Sequence, residues 1–449
     1  MHIRNRNIEN SSTSLLDYLF WIILIIFTDP GGILEAFGED SGDGGINVTD
    51  LLFGGLLCCY VLTLFRKNTR TDIQYTKIFR LFLVFLAYYF IVFGYIVPEL
   101  KSPVGYSLTF VAIKSRHTIY SVLLFIMVYR FFKRSYLLFF KILLVSSFIV
   151  IILFLITFVT GIDILPLMKT SRGFIKIDRI FLFSYGLMPL LIPMGAIILT
   201  FKIDISWKRF IIVCFGLMFL TWLLSLTRRH ILGTIIYLIF SLMMYNHFRG
   251  KVLLPLGKVL RIFSYSIIIL FLVGLSFPKY VDAGQKAIEQ AIYVAEHGET
   301  TTGRQDNRLG LGKNFMQKLI EKNYVYGTGF DNRWRTAEGD KEGYEAADYP
   351  FLAAIAMFGI MGMLVFLPVY IVLIKTLKRD YSFIKKNNIN YNSFEFFALI
   401  LFVLFFSYDL LQYVNWFKPL SRSTDHDWYI YLAMYLSIRH KFYNNYITK

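Results

Sequence analysis

The chain has 449 residues, of which 56% are hydrophobic and 17% charged, with a formal net charge of +17. That apolar share, with a positive mean hydropathy, exceeds what a soluble domain needs to fill its core, so a soluble globule is excluded in favour of a polytopic membrane protein. The basic excess does not indicate a nucleic-acid partner, because it is dispersed as short clusters at the ends of apolar runs.

Taken in chain order, apolar runs cover residues 14–28, 49–65, 80–97, 107–131, 137–160, 180–201, 209–226, 231–246, 262–278, 349–374, 395–413 and 428–438. A hydrocarbon core of roughly 30 Å takes about 20 helical residues, so these are twelve expected spans, the first, eighth and last of them short. Lipid-facing backbone has to be satisfied within its own segment, which leaves helices or a closed barrel, and the runs lack the strict alternation of a barrel. The fold class is therefore all-α. The first run follows only Arg4 and Arg6 and shows no small-residue cleavage pattern, so it reads as a retained helix rather than a removed signal peptide.

Basic clusters follow alternate runs: Arg66, Lys67, Arg70 and Lys77; Arg130, Lys133 and Arg134; Lys202, Lys208 and Arg209; Arg249, Lys251, Lys258 and Arg261; Lys375 to Lys386; Arg439 and Lys441. The positive-inside rule places these loops and both termini in the cytoplasm. On the same parity residues 29–48, acidic and without Lys or Arg, and the mostly polar stretch 279–348 are external. The chain thus divides into 1–278 with nine spans, an elaborated external loop 279–348, and 349–449 with three spans. Within the loop, Asn307 to Lys322 carries Leu311, Phe315 and Leu319 at helical spacing, which predicts an amphipathic helix ending at the turn Tyr326-Gly327-Thr328-Gly329. Cys58, Cys59 and Cys214 all fall within spans, which argues for packing rather than a disulfide framework or a zinc site.

Charges in or at the mouth of spans are costly and are therefore candidates for function. Arg228 and Arg229 fall in the short external turn between the seventh and eighth runs, against the positive-inside rule. A guanidinium there suits a phosphate, and the alternative is snorkelling to lipid headgroups. Lys114, Arg116 and His117 lie inside the fourth run; either they face a polar cavity or the span begins after them. Arg172 adds external charge. In the loop, Arg304 follows Thr301-Thr302-Gly303, with Arg308 one turn on, a weak phosphate-binding pattern. Arg333, Trp334 and Arg335 suit stacking and hydrogen bonding on a sugar, or plain exposure. Asp348, where the loop meets the tenth run, is the best-placed general base, or else a helix N-cap. No Walker lysine motif, HExxH, GxSxG or CxxC occurs where it could act, so neither ATP use nor a metallohydrolase is indicated and no cofactor is expected.

The segment Ser225 to Arg229, Thr302-Gly303-Arg304, Gly327-x-Gly329-Phe330, Asp348-x-x-Phe351-Leu352 and Gly359-Ile360-Met361-Gly362 resemble, in order and spacing, the O-antigen ligase and Wzy-type polymerase superfamily of bacterial surface-polysaccharide enzymes. The resemblance covers about Leu224 to Ile374. It implies a metal-independent glycosyltransferase of the bacterial inner membrane that uses an undecaprenyl-diphosphate-linked glycan, with a chain-length regulator as a further candidate partner. Ligases of this superfamily commonly begin the last motif with a histidine; Asp348 stands there in this chain, which favours polymerase over ligase. Under that reading Asp348, Arg304 and Arg229 are catalytic, and Arg228, Arg116, Lys114, Arg172, Arg308, Arg333 and Arg335 bind substrate. A lipid-linked oligosaccharide flippase is the competing class, kept open by Lys114, Arg116 and His117.

Overall fold

A computed structural model describes residues 13–28, 48–64, 73–92, 108–162, 169–171, 178–180, 186–224, 228–251, 324–327, 350–387, 389, 392–411, 417–421 and 426–447, together with 257, 264, 289 and 293. The helices among them are α1 (Leu15–Phe27), α2 (Val48–Leu64), α3 (Ile73–Ile91), α4 (Leu108–Thr160), α5 (Leu191–Phe201), α6 (Lys208–Leu224), α7 (Arg228–Phe248), α8 (Pro350–Lys386), α9 (Phe394–Leu411), α10 (Lys418–Ser421) and α11 (Asp427–Ile447). By length and composition, Thr118–Thr160, His230–Phe248, Ala354–Lys386 and Phe394–Leu411 can each cross a membrane, and shorter apolar helices accompany them. The chain is a membrane-embedded helical protein.

The described helices largely overlap the apolar runs, α3 beginning seven residues before its run and α8 ending twelve after its own, and four further differences are instructive. First, the fourth and fifth runs, expected as spans separated by a loop, form one helical stretch whose only non-helical residue is Ser135 (φ −131°, ψ 35°). The arms bend toward each other there, and the Phe132 ring lies 5.4 Å from Phe139 and 5.9 Å from Phe140. Each arm has about 25 residues, enough to cross on its own. Second, the expected all-α fold has an exception: β1 (Lys169–Ser171) and β2 (Asp178–Ile180) pair antiparallel, Thr170 opposite Arg179. Of the predicted run 180–201, Ile180 ends β2, and the described residues 186–201 enter helix through a 3-10 turn at Met188–Leu190. Third, α11 extends to Ile447, well beyond the short apolar run 428–438. Fourth, α8 breaks at Gly359 (φ 64°, ψ 179°). The ninth run, 262–278, and the amphipathic helix expected over 307–322 lie outside the described residues, apart from position 264.

Lipid is as apolar as leucine, so helices in a bilayer gain little from burial against one another and depend on close packing and interhelical hydrogen bonds. Aromatic rings supply the packing. Phe20 stacks on Phe131 at 3.7 Å, Tyr75 on Tyr129 at 3.8 Å, and Phe82 meets Phe125 edge-on at 5.0 Å; such pairs contribute about 0.5–1.5 kcal/mol each. Helix α9 is central: every residue from Phe396 to Leu404 is buried.

Polar pins hold one end of the bundle. The Asp17 carboxylate, fully buried, accepts from the Ser14 amide (2.9 Å) and from the Arg134 guanidinium, tying the start of α1 to the bend of α4. Asp380 of α8, also fully buried, accepts from Tyr435 (2.6 Å), Arg439 (2.9 Å) and Tyr443 (2.8 Å) of α11. Tyr136 of α4 donates to Glu395 of α9 at 2.7 Å. A buried carboxylate is tolerable only when ringed by donors in this way.

Candidate functional site

At the opposite end, the start of α2, the first arm of α4, the end of α9, the start of α11 and the broken helix α8 come together. Arg116 Nη1 pairs with Asp50 Oδ2 at 2.9 Å, and Tyr120, one turn on, donates to Asp50 Oδ1 at 2.9 Å. The Tyr120 ring stacks on Phe53 at 3.8 Å. Beside them Ser121 Oγ lies 2.8 Å from Nδ1 of the buried His426, whose ring sits 5.2 Å from Phe27. Two residues on, Trp428 donates its indole N–H to Asp409 Oδ2 at 3.3 Å.

The break in α8 is built from glycines. A positive φ followed by extended ψ at Gly359 removes the regular i to i−4 pairing of its neighbours. Those groups find other partners: Tyr88 of α3 donates to Phe358 O at 2.8 Å, while Ile360 N and Met361 N donate to Tyr324 O (2.9 Å) and Val325 O (3.1 Å). The 324–327 turn is therefore seated on the break by its backbone. Gly327 is itself at φ 80°, and a Cβ there would lie 2.3 Å from Met357 O; a Cβ on Gly359 would lie 2.2 Å from Val325 O. Neither position has room for a side chain.

The break also redirects the first arm of α8. The Phe351 and Tyr370 rings both lie against Phe417, at 6.2 and 5.4 Å, whereas a straight helix would separate positions 351 and 370 by about 28 Å. Residues 350–358 thus fold back along the following arm. Irregular backbone at membrane depth is tolerated where it is buried in protein or lines a cavity, and broken helices of this kind recur at substrate sites.

Of the candidate catalytic and substrate-binding residues named from sequence, Arg116 is the one whose side chain is described, and it is ion-paired to Asp50. Arg228 and Arg229, expected in a turn, are the first two residues of α7. Lys114 lies on α4. For these three the backbone is placed and the side chain lies outside the described residues. Asp348, Arg304, Arg172, Arg308, Arg333 and Arg335 lie wholly outside them. Sequence reading missed Asp50, Ser121, His426, Asp409 and Tyr88. Asp50 and Asp409 carried a visible signal, a carboxylate within an apolar run; Ser121, His426 and Tyr88 carried none. Among the described residues no group of three or more His, Cys, Asp or Glu side chains converges as a metal site. No known protein family, curated protein or solved structure matches the chain.

Proposed function

We propose that the protein is a polymerase that joins undecaprenyl-diphosphate-linked oligosaccharide repeat units at the external face of the bacterial inner membrane, with both termini cytoplasmic and twelve spans. The observation that carries this reading is the seating of the Gly327 turn on the α8 break at Gly359. Two segments that contribute to the resemblance, separate in sequence, meet backbone to backbone and anchor the long loop to a membrane helix.

A second support is the start of α7. The first turn of a helix favours anions, so two arginines at positions 228 and 229 oppose the helix dipole as well as the charge rule. A diphosphate held there relieves both conflicts. In the proposed reaction an acceptor sugar hydroxyl attacks C1 of the donor glycan. Asp348 takes the hydroxyl proton, the bond between C1 and the diphosphate oxygen breaks, and undecaprenyl diphosphate leaves with the electron pair, its charge stabilised by Arg229, Arg228 and Arg304.

The test is glycan analysis of a strain lacking the protein, separating lipid-linked intermediates from finished surface polysaccharide. Surface glycan reduced to single repeat units is the expected result. Long polymer stranded on its carrier would mean ligase. Single lipid-linked units trapped on the cytoplasmic side would mean flippase, a reading the broken helix α8 also favours. An unchanged profile would sink all three.

A further inference from the structure

Helix α9 is enclosed from Phe396 to Leu404, but its last turns open: Tyr408 and Asp409 are half-buried and Leu411 is exposed. Asp409 is a carboxylate inside an apolar run, a placement that costs free energy and calls for a reason. Around it stand aromatic groups from three other helices. Trp428 of α11 donates to it at 3.3 Å, and the Trp428 ring packs on Tyr370 of α8 at 5.7 Å. Tyr237 of α7, also half-buried, lies 4.3 Å from Tyr408. Gly233 of α7 presents no side chain opposite the Tyr408 hydroxyl, where even a Cβ would stop 3.7 Å away.

This is the chemistry of sugar recognition. A carboxylate only accepts, with about four acceptor positions, and sugar hydroxyls donate. Of these rings Tyr408 and Tyr237 are half-buried and so can turn an electron-rich face toward the C–H surface of a pyranose, whereas Trp428 and Tyr370 are buried against other rings. The same carboxylate repels a diphosphate, and a polyprenyl tail has nothing to give it. The succession along α7 orders the two parts of a glycosyl diphosphate: positions 229, 233 and 237 are spaced four apart and share one helix face, with rises of about 6 Å between them.

Resting on the function proposed above, we infer that Asp409, Tyr408 and Tyr237 form a subsite for a sugar ring of the lipid-linked glycan, with the buried Trp428 positioning the Asp409 carboxylate from behind. Arg229, one turn above Gly233, then belongs on the same face as this subsite, and Arg228 is displaced from it around the helix.

The experiment measures binding to the full chain in lipid nanodiscs with two probes: the host's repeat-unit oligosaccharide freed from its carrier by mild acid, and undecaprenyl diphosphate without sugar. Asp409→Asn preserves shape and an acceptor for Trp428, and Tyr408→Ala serves as the second variant. The subsite requires both variants to lose oligosaccharide binding by about 10- to 100-fold while retaining undecaprenyl diphosphate and unfolding at the wild-type temperature; Arg229→Ala reverses the pattern. Oligosaccharide binding unchanged in both variants overturns the subsite. Wild-type protein that binds undecaprenyl diphosphate but no oligosaccharide also overturns it and leaves the polymerase reading standing. Wild-type protein that binds neither probe overturns both.

Discussion

Trp21 donates its indole N–H to Ser135 Oγ at 2.8 Å, joining the middle of α1 to the one residue at which α4 leaves helical geometry. Ser135 in turn donates to Phe131 O at 3.0 Å, so one hydroxyl serves both the bend and its neighbour. Ser135→Ala orphans a fully buried indole and is expected to cost roughly 1–3 kcal/mol. Trp21→Phe, which removes the donor and keeps a ring, should leave the bend intact. Reversible unfolding in mixed micelles compares them; equal stability of Ser135→Ala and wild type would refute the assignment.

The Asp380 network makes a larger demand. Arg439→Ala leaves a fully buried carboxylate with two phenols and no cation, and the expected loss is roughly 3–5 kcal/mol. Asp380→Asn, neutral and of the same shape, should cost less than Arg439→Ala. The order of the two melting temperatures decides the point, and the reverse order would mean that the ion pair does not hold α8 to α11.

At the α8 break, Gly359→Ala and Gly327→Ala each place a methyl group on opposing backbone, at a φ that L residues rarely adopt. Each should cost roughly 2 kcal/mol or more. The double variant should cost less than the sum, because both substitutions break the same contact. Limited proteolysis of the segment around 324–327 provides an independent readout: both variants should be cut faster than wild type. Additive losses with unchanged cutting would show that the two glycines do not meet.

Arg116 and Arg229 are expected to part company. Arg116 has a partner of its own in Asp50, so Arg116→Gln combined with Asp50→Asn should retain substantial polymerisation if the pair is structural. Arg229→Lys should not rescue activity, because an ammonium cannot reproduce bidentate phosphate contact. Surface-glycan chain length in complemented cells reads both, and a fully active Arg229→Lys protein would remove that residue from the proposed diphosphate site.

The positions of the helices were legible because lipid demands long uninterrupted apolar runs, and α2, α6, α7 and α9 begin and end within about three residues of their runs. The turn between the arms of α4 was misjudged because Arg130, Lys133 and Arg134 look like a solvated loop. Arg134 instead turns inward to Asp17, and Arg130 donates to Thr63 O. Ile180, expected at the start of a span, is instead the last residue of β2, because a β-branched apolar residue fits a strand as well as a span. The meeting of Gly327 with Gly359 was beyond sequence reading. Gly327 lies in a turn signal, but Gly359 lies inside an apolar run, and nothing in a linear pattern says that two glycines 32 positions apart will dock.

The burial of α9 has a consequence for biogenesis. The helix that other spans surround follows α1 to α8 in chain order. Earlier helices therefore enter the bilayer around a seat that has no occupant, and lipid has to fill it until residues 394–411 arrive and displace it. A chain cut short before that point is not a smaller version of the protein but a hollow one, and quality-control proteases that sense loosely associated membrane helices should clear it faster than any full-length variant considered above.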